Sequence, residues 1–255
     1  MKKISVSVLI LLLAALVLPA CGRSSYTLRD FPKELKIDAD SLSEDTDNLL
    51  PVDETAQLLA ALPKEKLYVY ALDPKVVTGV LVKFDGLVQY FPWRFDPRLA
   101  QPDLFVADYN ADGKKDVAFT YVFSAGVHAR RETLHVLLRE EDRLSDNLYT
   151  GEKAAVEASR HLSVIADADN PDTFKAYLDG EGRTFKLPGH GEFADLYFDE
   201  VQDFTLGDTI TLRVEPGIVF RNEGEAVYDV LHYTAQIEFV DSLLTQTNVK
   251  LDLKA

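Results

Sequence analysis

The stretch Leu104–Phe123, LFVADYNADGKKDVAFTYVF, reads as strand, loop and strand, and it sets the reading of the whole chain. LFVA at 104–107 and VAFTYVF at 117–123 are rich in β-branched and aromatic residues, as strands are. Between them, oxygen-bearing side chains recur at alternate positions. With Asp108 as position 1, Asp108, Asn110, Asp112 and Asp116 fall at positions 1, 3, 5 and 9, and position 7 offers the main-chain carbonyl of Lys114. Gly113 at position 6 permits a sharp turn with positive φ. Ca²⁺ is a hard cation that takes about six to eight oxygens in a flexible cage. Three carboxylates in so short a loop repel one another unless a counter-ion sits among them. The expected cofactor is therefore one Ca²⁺, held by Asp108, Asn110, Asp112, Lys114 and Asp116. The alternative is an ion-free polar turn, because Asp, Asn and Gly are ordinary turn residues. An EF-hand would require Glu at position 12, where the chain has Phe119.

Strand signals continue on both sides. LYVYAL (67–72) is aromatic and β-branched, and VTGVLVKFDGLVQYFPWRF turns at Asp85-Gly86 as a hairpin does. TLHVLLRE (133–140) is a further strand, and FKAYLDGEGRTFKL (174–187) folds back through Asp179-Gly180. TITLRVEPGIVF, YDVLHYTAQIEFVD and NVKLDLK fill the C-terminal part, and DLYFDEVQD (195–203) reads as a solvated strand edge. Two segments predict short helices. ETAQLLAALP places Ala56, Leu59, Ala60 and Leu62 on one side and is stopped by Pro63; KAAVEASRHL (153–162) is the second. The fold class is α+β, a mostly antiparallel β-rich domain with a few short helices. It spans residues 51–255, with a subdomain break admitted near 150–165. No period of 20–50 residues repeats, so the acidic loop occurs once.

The N-terminus predicts export. Met1-Lys2-Lys3 is followed by Ile4–Leu18, apolar apart from Ser5 and Ser7, and then by Leu18-Pro19-Ala20-Cys21. Charge, a short apolar run and small residues form a secretory signal, and the run is short of the roughly 20 residues that span a bilayer. LPAC followed by Gly22 resembles a bacterial lipobox. The resemblance implies a signal peptide over 1–20 and a lipid on Cys21. Cys21 is the one cysteine in the chain, so no disulfide accounts for it. Residues 21–50, polar and acidic, read as a tether between lipid and domain, with packing admitted around Leu35–Leu42.

Composition narrows function. The chain carries 42 acidic and 27 basic side chains, a net charge of −15, which disfavours nucleic acid as a partner. No nucleophile elbow, P-loop, HExxH or CxxC motif is present. His128, His135, His161, His190 and His232 are scattered, and His190 in GHGE (189–192) reads as part of a loop. The aromatics Tyr90-Phe91-Pro92-Trp93 offer a candidate sugar platform. No nucleophilic constellation points to catalysis. The expected function is a membrane-anchored extracytoplasmic binding or envelope-interaction protein whose partners are the membrane, through the lipid, and an envelope protein or glycan. The alternative is an exported hydrolase that acts on envelope glycan or peptide with paired carboxylates.

DYNADGKKDV after LFVA resembles the calcium loop of FG-GAP/VCBS repeats, the integrin-type module. With TYVFSAGVHARRETLHVLL, the likeness over residues 104–140 extends to bacterial lipoproteins and exported proteins of unknown function that carry one such loop. The resemblance implies a calcium-binding, β-rich domain outside the cell. Complete FG-GAP propellers are built from sets of repeats, and here the loop stands alone.

Overall fold

A computed structural model describes residues 27–33, 35–46, 56–73, 75, 77–93, 101–125, 130–170, 172–189, 192–221, 227 and 230–253. The signal segment 1–20, Cys21, His128 and His190 lie outside the described residues. In chain order the elements are β1 (Thr27–Arg29), β2 (Ala56–Leu62), β3 (Leu67–Leu72), β4 (Val80–Phe84), β5 (Leu87–Phe91), β6 (Asp103–Ala107), β7 (Asp116–Ala125), β8 (Arg130–Arg139) and β9 (Leu144–Tyr149). The helix α1 (Gly151–His161) follows, then β10 (Leu162–Ala166), β11 (Thr173–Leu178), β12 (Glu181–Lys186), β13 (Phe193–Thr205), β14 (Ile210–Phe220), β15 (Leu231–Val240) and β16 (Leu243–Leu253). The class is β-rich and mostly antiparallel, as expected, with one α-helix among the described residues.

Three sheets form. One has the order β1-β5-β4-β3-β2, a small one β10-β11-β12, and a large one β16-β15-β14-β13-β8-β7-β6, with β9 also paired to β8. Two-residue turns with both φ positive close the hairpins at Asp85-Gly86 and Asp179-Gly180, matching the right-handed twist of their strands. The same geometry recurs at Asp241-Ser242 between β15 and β16.

β7 is buried on both sides. Val117, Phe119 and Tyr121 pack with Leu67, Val69, Val80 and Val82 of the five-stranded sheet, while Ala118 turns to the opposite core with Leu134, Tyr149, Phe174 and Phe220. Period-2 alternation sends successive side chains to two apolar layers, which explains why the run after the acidic loop has no polar face. The second core is continuous from Ala118 to Leu251 and passes through α1 by way of Ala154 and Ala158, so no gap in packing marks residues 150–165.

Four expectations change in whole or in part. The ETAQLLAALP segment is a strand from Ala56, not a helix: β2 pairs antiparallel with β3, with a bulge between Leu58 and Ala60, and strand alternation sends the adjacent leucines to different layers. Leu59 enters the core shared with β7 and Leu58 the core on the other face of the sheet. Two apolar layers on either side outweigh the helical propensity of Ala and Leu. In the 21–50 segment, the packing admitted around Leu35–Leu42 is present, and pairing extends it back to Thr27. β1 pairs parallel with β5, and Leu35, Ala39 and Leu42 are buried against Tyr68, Tyr70, Leu81 and Val88. The acidic residues of that segment are placed accordingly, with Glu44 2.7 Å from the buried ammonium of Lys83. DLYFDEVQD is a solvated edge only in its first half: among the described residues Asp195–Tyr197 pair with β14 alone and Asp195 and Tyr197 are exposed, whereas Val201 and Gln202 also pair with β8 and Gln202 is fully buried. Trp93, Phe91 and Tyr90 form no platform: Trp93 is buried and stacks on Phe91 at 4.6 Å between centroids.

α1 is the helix expected at 153–162, observed two residues earlier at its start. Thr150 caps it by accepting the Lys153 N–H. Its small inward residues let it sit close to β13: a Cβ on Gly151 would lie 2.2 Å from the Gln202 Oε1 atom.

Candidate metal loop and its surroundings

The loop 108–115 joins β6 to β7, with Ala107 and Asp116 paired across its base. Its turn is made by positive φ at Ala111 (58°) and Gly113 (83°). The oxygens of the acidic side chains turn inward onto the loop's own amides. Asp108 accepts the N–H of Asp112 on Oδ1 at 3.0 Å and of Gly113 on Oδ2 at 2.8 Å. Asn110 Oδ1 also accepts from Asp112 N–H, at 3.1 Å, and Asp112 Oδ1 accepts the Lys114 N–H at 2.8 Å.

Asp116 differs from the others. It is fully buried at the start of β7, where its two oxygens accept the Tyr109 N–H at 3.0 Å and the Arg139 N–H at 2.7 Å. Burial pushes its carboxyl above the ordinary aspartate range; the two amides pull the other way, and the charges of Asp112 and Asp108 push it up again. The last effect puts Asp116 within electrostatic reach of both loop carboxylates. Tyr109 fastens the loop to the β13–β14 turn by donating to the Gly207 carbonyl at 2.9 Å. Its phenol is raised by burial, then by the charges of Asp208 and Asp116.

The structure thus brings Asp108, Asn110, Asp112 and Asp116 into one loop, and places the exposed Lys114 at its outer side. Among the described residues no three His, Cys, Asp or Glu side chains converge as a closed metal cage. The donor set fits a hard cation chemically, because each carboxylate oxygen engaged by one amide keeps a second lone pair. No soft ligand is present to favour another metal class.

Two arrangements escaped sequence reasoning. The first is a polar pair between β8 and β9, a buried histidine joined to a part-exposed aspartate. His135 is 2% exposed and its Nδ1 lies 2.8 Å from Asp146 Oδ1. Asp146 Oδ2 also accepts the Trp93 Nε1–H at 2.8 Å. The imidazole lies tilted against Trp93 at 4.0 Å and stacks on Tyr121 at 5.8 Å between centroids, while its Nε2 has no hydrogen-bond partner. With a carboxylate on Nδ1, the proton of a neutral ring sits there. The available signal was the β8–β9 hairpin, whose register pairs Leu137 with Asp146 and so sets Asp146 diagonal to His135.

The second is a clamp around α1. Glu157 Oε2 accepts the Tyr149 hydroxyl at 2.7 Å and the Gln246 N–H at 3.0 Å. Gln246 in turn donates to the Tyr149 oxygen and the Ala154 carbonyl, both at 2.9 Å, and accepts from the Tyr233 hydroxyl at 2.5 Å. Of the other histidines, His161 lies 2.8 Å from Asp179 at a surface turn, and His232 sits half-buried on β15.

Comparison with known proteins gives this loop and its neighbours no relative: no family model, no curated protein and no solved structure matches the chain.

Proposed function

We propose that this chain is a lipid-anchored extracytoplasmic binding protein of the bacterial envelope, in which the 108–116 loop holds one Ca²⁺ and so stiffens the edge of the large sheet. One observation carries the loop reading. A fully buried carboxylate, Asp116, stands at the root of a loop that also carries Asp108, Asn110 and Asp112, a concentration of oxygen donors that suits a hard divalent cation. When bound, the ion would supply fixed positive charge and cross-link oxygens from both ends of the loop. Asp116 holds the base through Tyr109 and Arg139, while Asp108, Asn110 and Asp112 shape the turn through its amides. The reading as a lipoprotein rests on Cys21 and the segment before it. The resemblance to single-loop FG-GAP/VCBS-like proteins supports the same placement outside the cell, where calcium is abundant. The hydrolase reading gains no comparable support: the imidazole of His135 is buried against Trp93, and only its partner Asp146 reaches the surface.

Calorimetric titration of the mature chain with CaCl₂ tests the loop. One ion per chain is expected, with a dissociation constant of about 10⁻⁴–10⁻³ M as in other extracellular modules. Asp112→Ala should abolish the heat while leaving the fold intact; a wild-type protein that takes up no calcium would overturn the loop reading. Cell fractionation tests the anchor: Cys21→Ser should move the protein out of the membrane fraction, and unchanged partitioning would remove the lipid from the account.

A further inference from the structure

The chain is acidic, yet one pocket gathers cations. It encloses about 460 Å³ and is lined by Lys64, Lys66, Lys114, Lys115 and Arg139, with Phe84 buried at its base and the carboxylates of Glu65, Asp85, Glu140 and Glu141 between them. Half of its ten lining residues are basic, against 27 of 255 in the whole chain, so the concentration is local rather than a property of the surface. The cations arrive from three separate places: the turn between β2 and β3, the far half of the acidic loop and the end of β8.

The wall of the pocket is fixed by ion pairs that leave other cations unengaged. Lys115 bridges to Glu65 at 2.6 Å and so joins the loop to the β2–β3 turn. Arg139 reaches Asp85 at 3.3 Å on the β4–β5 turn, while its own N–H holds Asp116 at 2.7 Å. Lys64 and Lys66 are exposed, and among the described residues neither ammonium has a carboxylate partner. Lys66 also holds left-handed backbone (φ 52°), a conformation that disfavours a side chain and is kept here by the Lys66 N–H to Pro63 carbonyl bond at 3.1 Å.

The mixture of charges selects the ligand. A bare polyanion would meet the repulsion of Glu65, Asp85, Glu140 and Glu141. A sugar would not, because its hydroxyls donate to carboxylates, while an anionic substituent on it pairs with Lys64 and Lys66. The volume lies within the range of about 300–1,000 Å³ typical of small-ligand sites. We infer that this pocket binds an acidic oligosaccharide, with Lys64 and Lys66 taking its anionic group and the alternating carboxylates taking its hydroxyls. This deepens the binding reading proposed above and names its ligand class.

Calorimetry with three probes tests it: a tetrasaccharide alternating glucuronate and N-acetylglucosamine, the neutral tetrasaccharide of N-acetylglucosamine, and inorganic phosphate. Each is titrated into the mature chain in calcium and in chelator. The acidic tetrasaccharide is expected to bind, and Lys64→Glu with Lys66→Glu should weaken it by about tenfold or more, since two charge-assisted contacts become repulsive. Both positions are exposed turn residues outside the cores, and the melting temperature of the double variant reports that it folds. Equal binding of the neutral sugar or of phosphate would overturn the ligand class, and silence of all three would overturn the pocket. The two readings fail separately. Calcium uptake without sugar binding removes the pocket alone, and sugar binding without calcium uptake removes the loop alone.

Discussion

Asp116, fully buried, and Asp146, part-exposed, show how a strand carboxylate is held at single-residue scale. Each lies at a strand position where two N–H donors converge: backbone amides for Asp116, and the Trp93 indole and His135 ring for Asp146. The consequence differs with what surrounds them. Asp116 is buried within reach of the like charges of Asp108 and Asp112, whereas Asp146 stands part-exposed on β9 and ties the buried Trp93 and His135 to that strand. Replacing Asp146 with Ala would take the acceptor from two buried donors, at about 1–3 kcal/mol for each group left unsatisfied, with water entering at this part-exposed position to limit the loss. Urea unfolding of Asp146→Ala should show a loss of about 2–5 kcal/mol. Trp93 is the one tryptophan, so its emission reports the same site directly and should shift to the red. A variant as stable as the parent, with unchanged emission, would mean that the pair contributes nothing.

At the scale of elements, the clamp of Tyr149, Glu157, Tyr233 and Gln246 fixes α1 across β9, β15 and β16. It also blunts an exposed sheet edge: Gln246 N–H is taken by Glu157, and the Leu244 and Leu251 carbonyls accept from Lys153 and Arg183. Burial raises the phenols of Tyr149 and Tyr233 well above their ordinary value near 10. An acid whose folded pKa is raised gives stability that is whole below its unfolded pKa and is lost as pH climbs toward the folded value. Unfolding free energy should therefore hold up to about pH 10 and fall above it. Tyr149→Phe should lower stability by about 1 kcal/mol at neutral pH, and should also flatten the alkaline slope. An unchanged slope would assign the alkaline loss to other groups.

The same scale explains what the sequence disclosed. Features written in short-range chemistry were legible: the Asp-Gly hairpins at 85–86 and 179–180, the strand–loop–strand at 104–123, and the helix announced by KAAVEASRHL. The acidic loop's residues were legible as a set for the same reason. Features decided by distant partners were not. Ala56–Leu62 has helical composition, and only the two apolar layers on either side of β3 make it a strand. In the acidic 21–50 segment the packing of the stretch Leu35–Leu42 was legible, but the sheet face that Leu35, Ala39 and Leu42 cover, more than fifteen residues away in sequence, was not. The cationic pocket joins residues from 64 to 139, a separation that no local pattern reveals.

For the whole molecule, the large sheet holds two cores apart and the N-terminal segment adds a third. Leu35 is buried on that outer face, so Leu35→Ala should destabilise the protein by about 2–3 kcal/mol, at the lower end for leucine truncation because the covering segment can settle. Thermal unfolding measures this, and no change in midpoint would return residues 27–42 to the status of a spacer. Arg29 pairs with Asp142 at the tip of the β8–β9 hairpin. That contact ties the start of the described chain to the neighbourhood of the acidic loop, so a lipid on Cys21 would tether the protein close to the end that carries the proposed calcium and sugar sites.

Thermal unfolding of the mature chain in millimolar calcium and in chelator tests the central claim most directly. Mass action at such calcium levels adds about 1–2 kcal/mol for a site of this affinity, which raises the midpoint of a domain this size by about 2–8 °C. The rise should appear in the wild type and vanish in Asp112→Ala, whose midpoint should be the same in calcium and in chelator. Superimposable wild-type curves in the two conditions would contradict the account and leave Asp108–Asp116 as a turn held by its own amides.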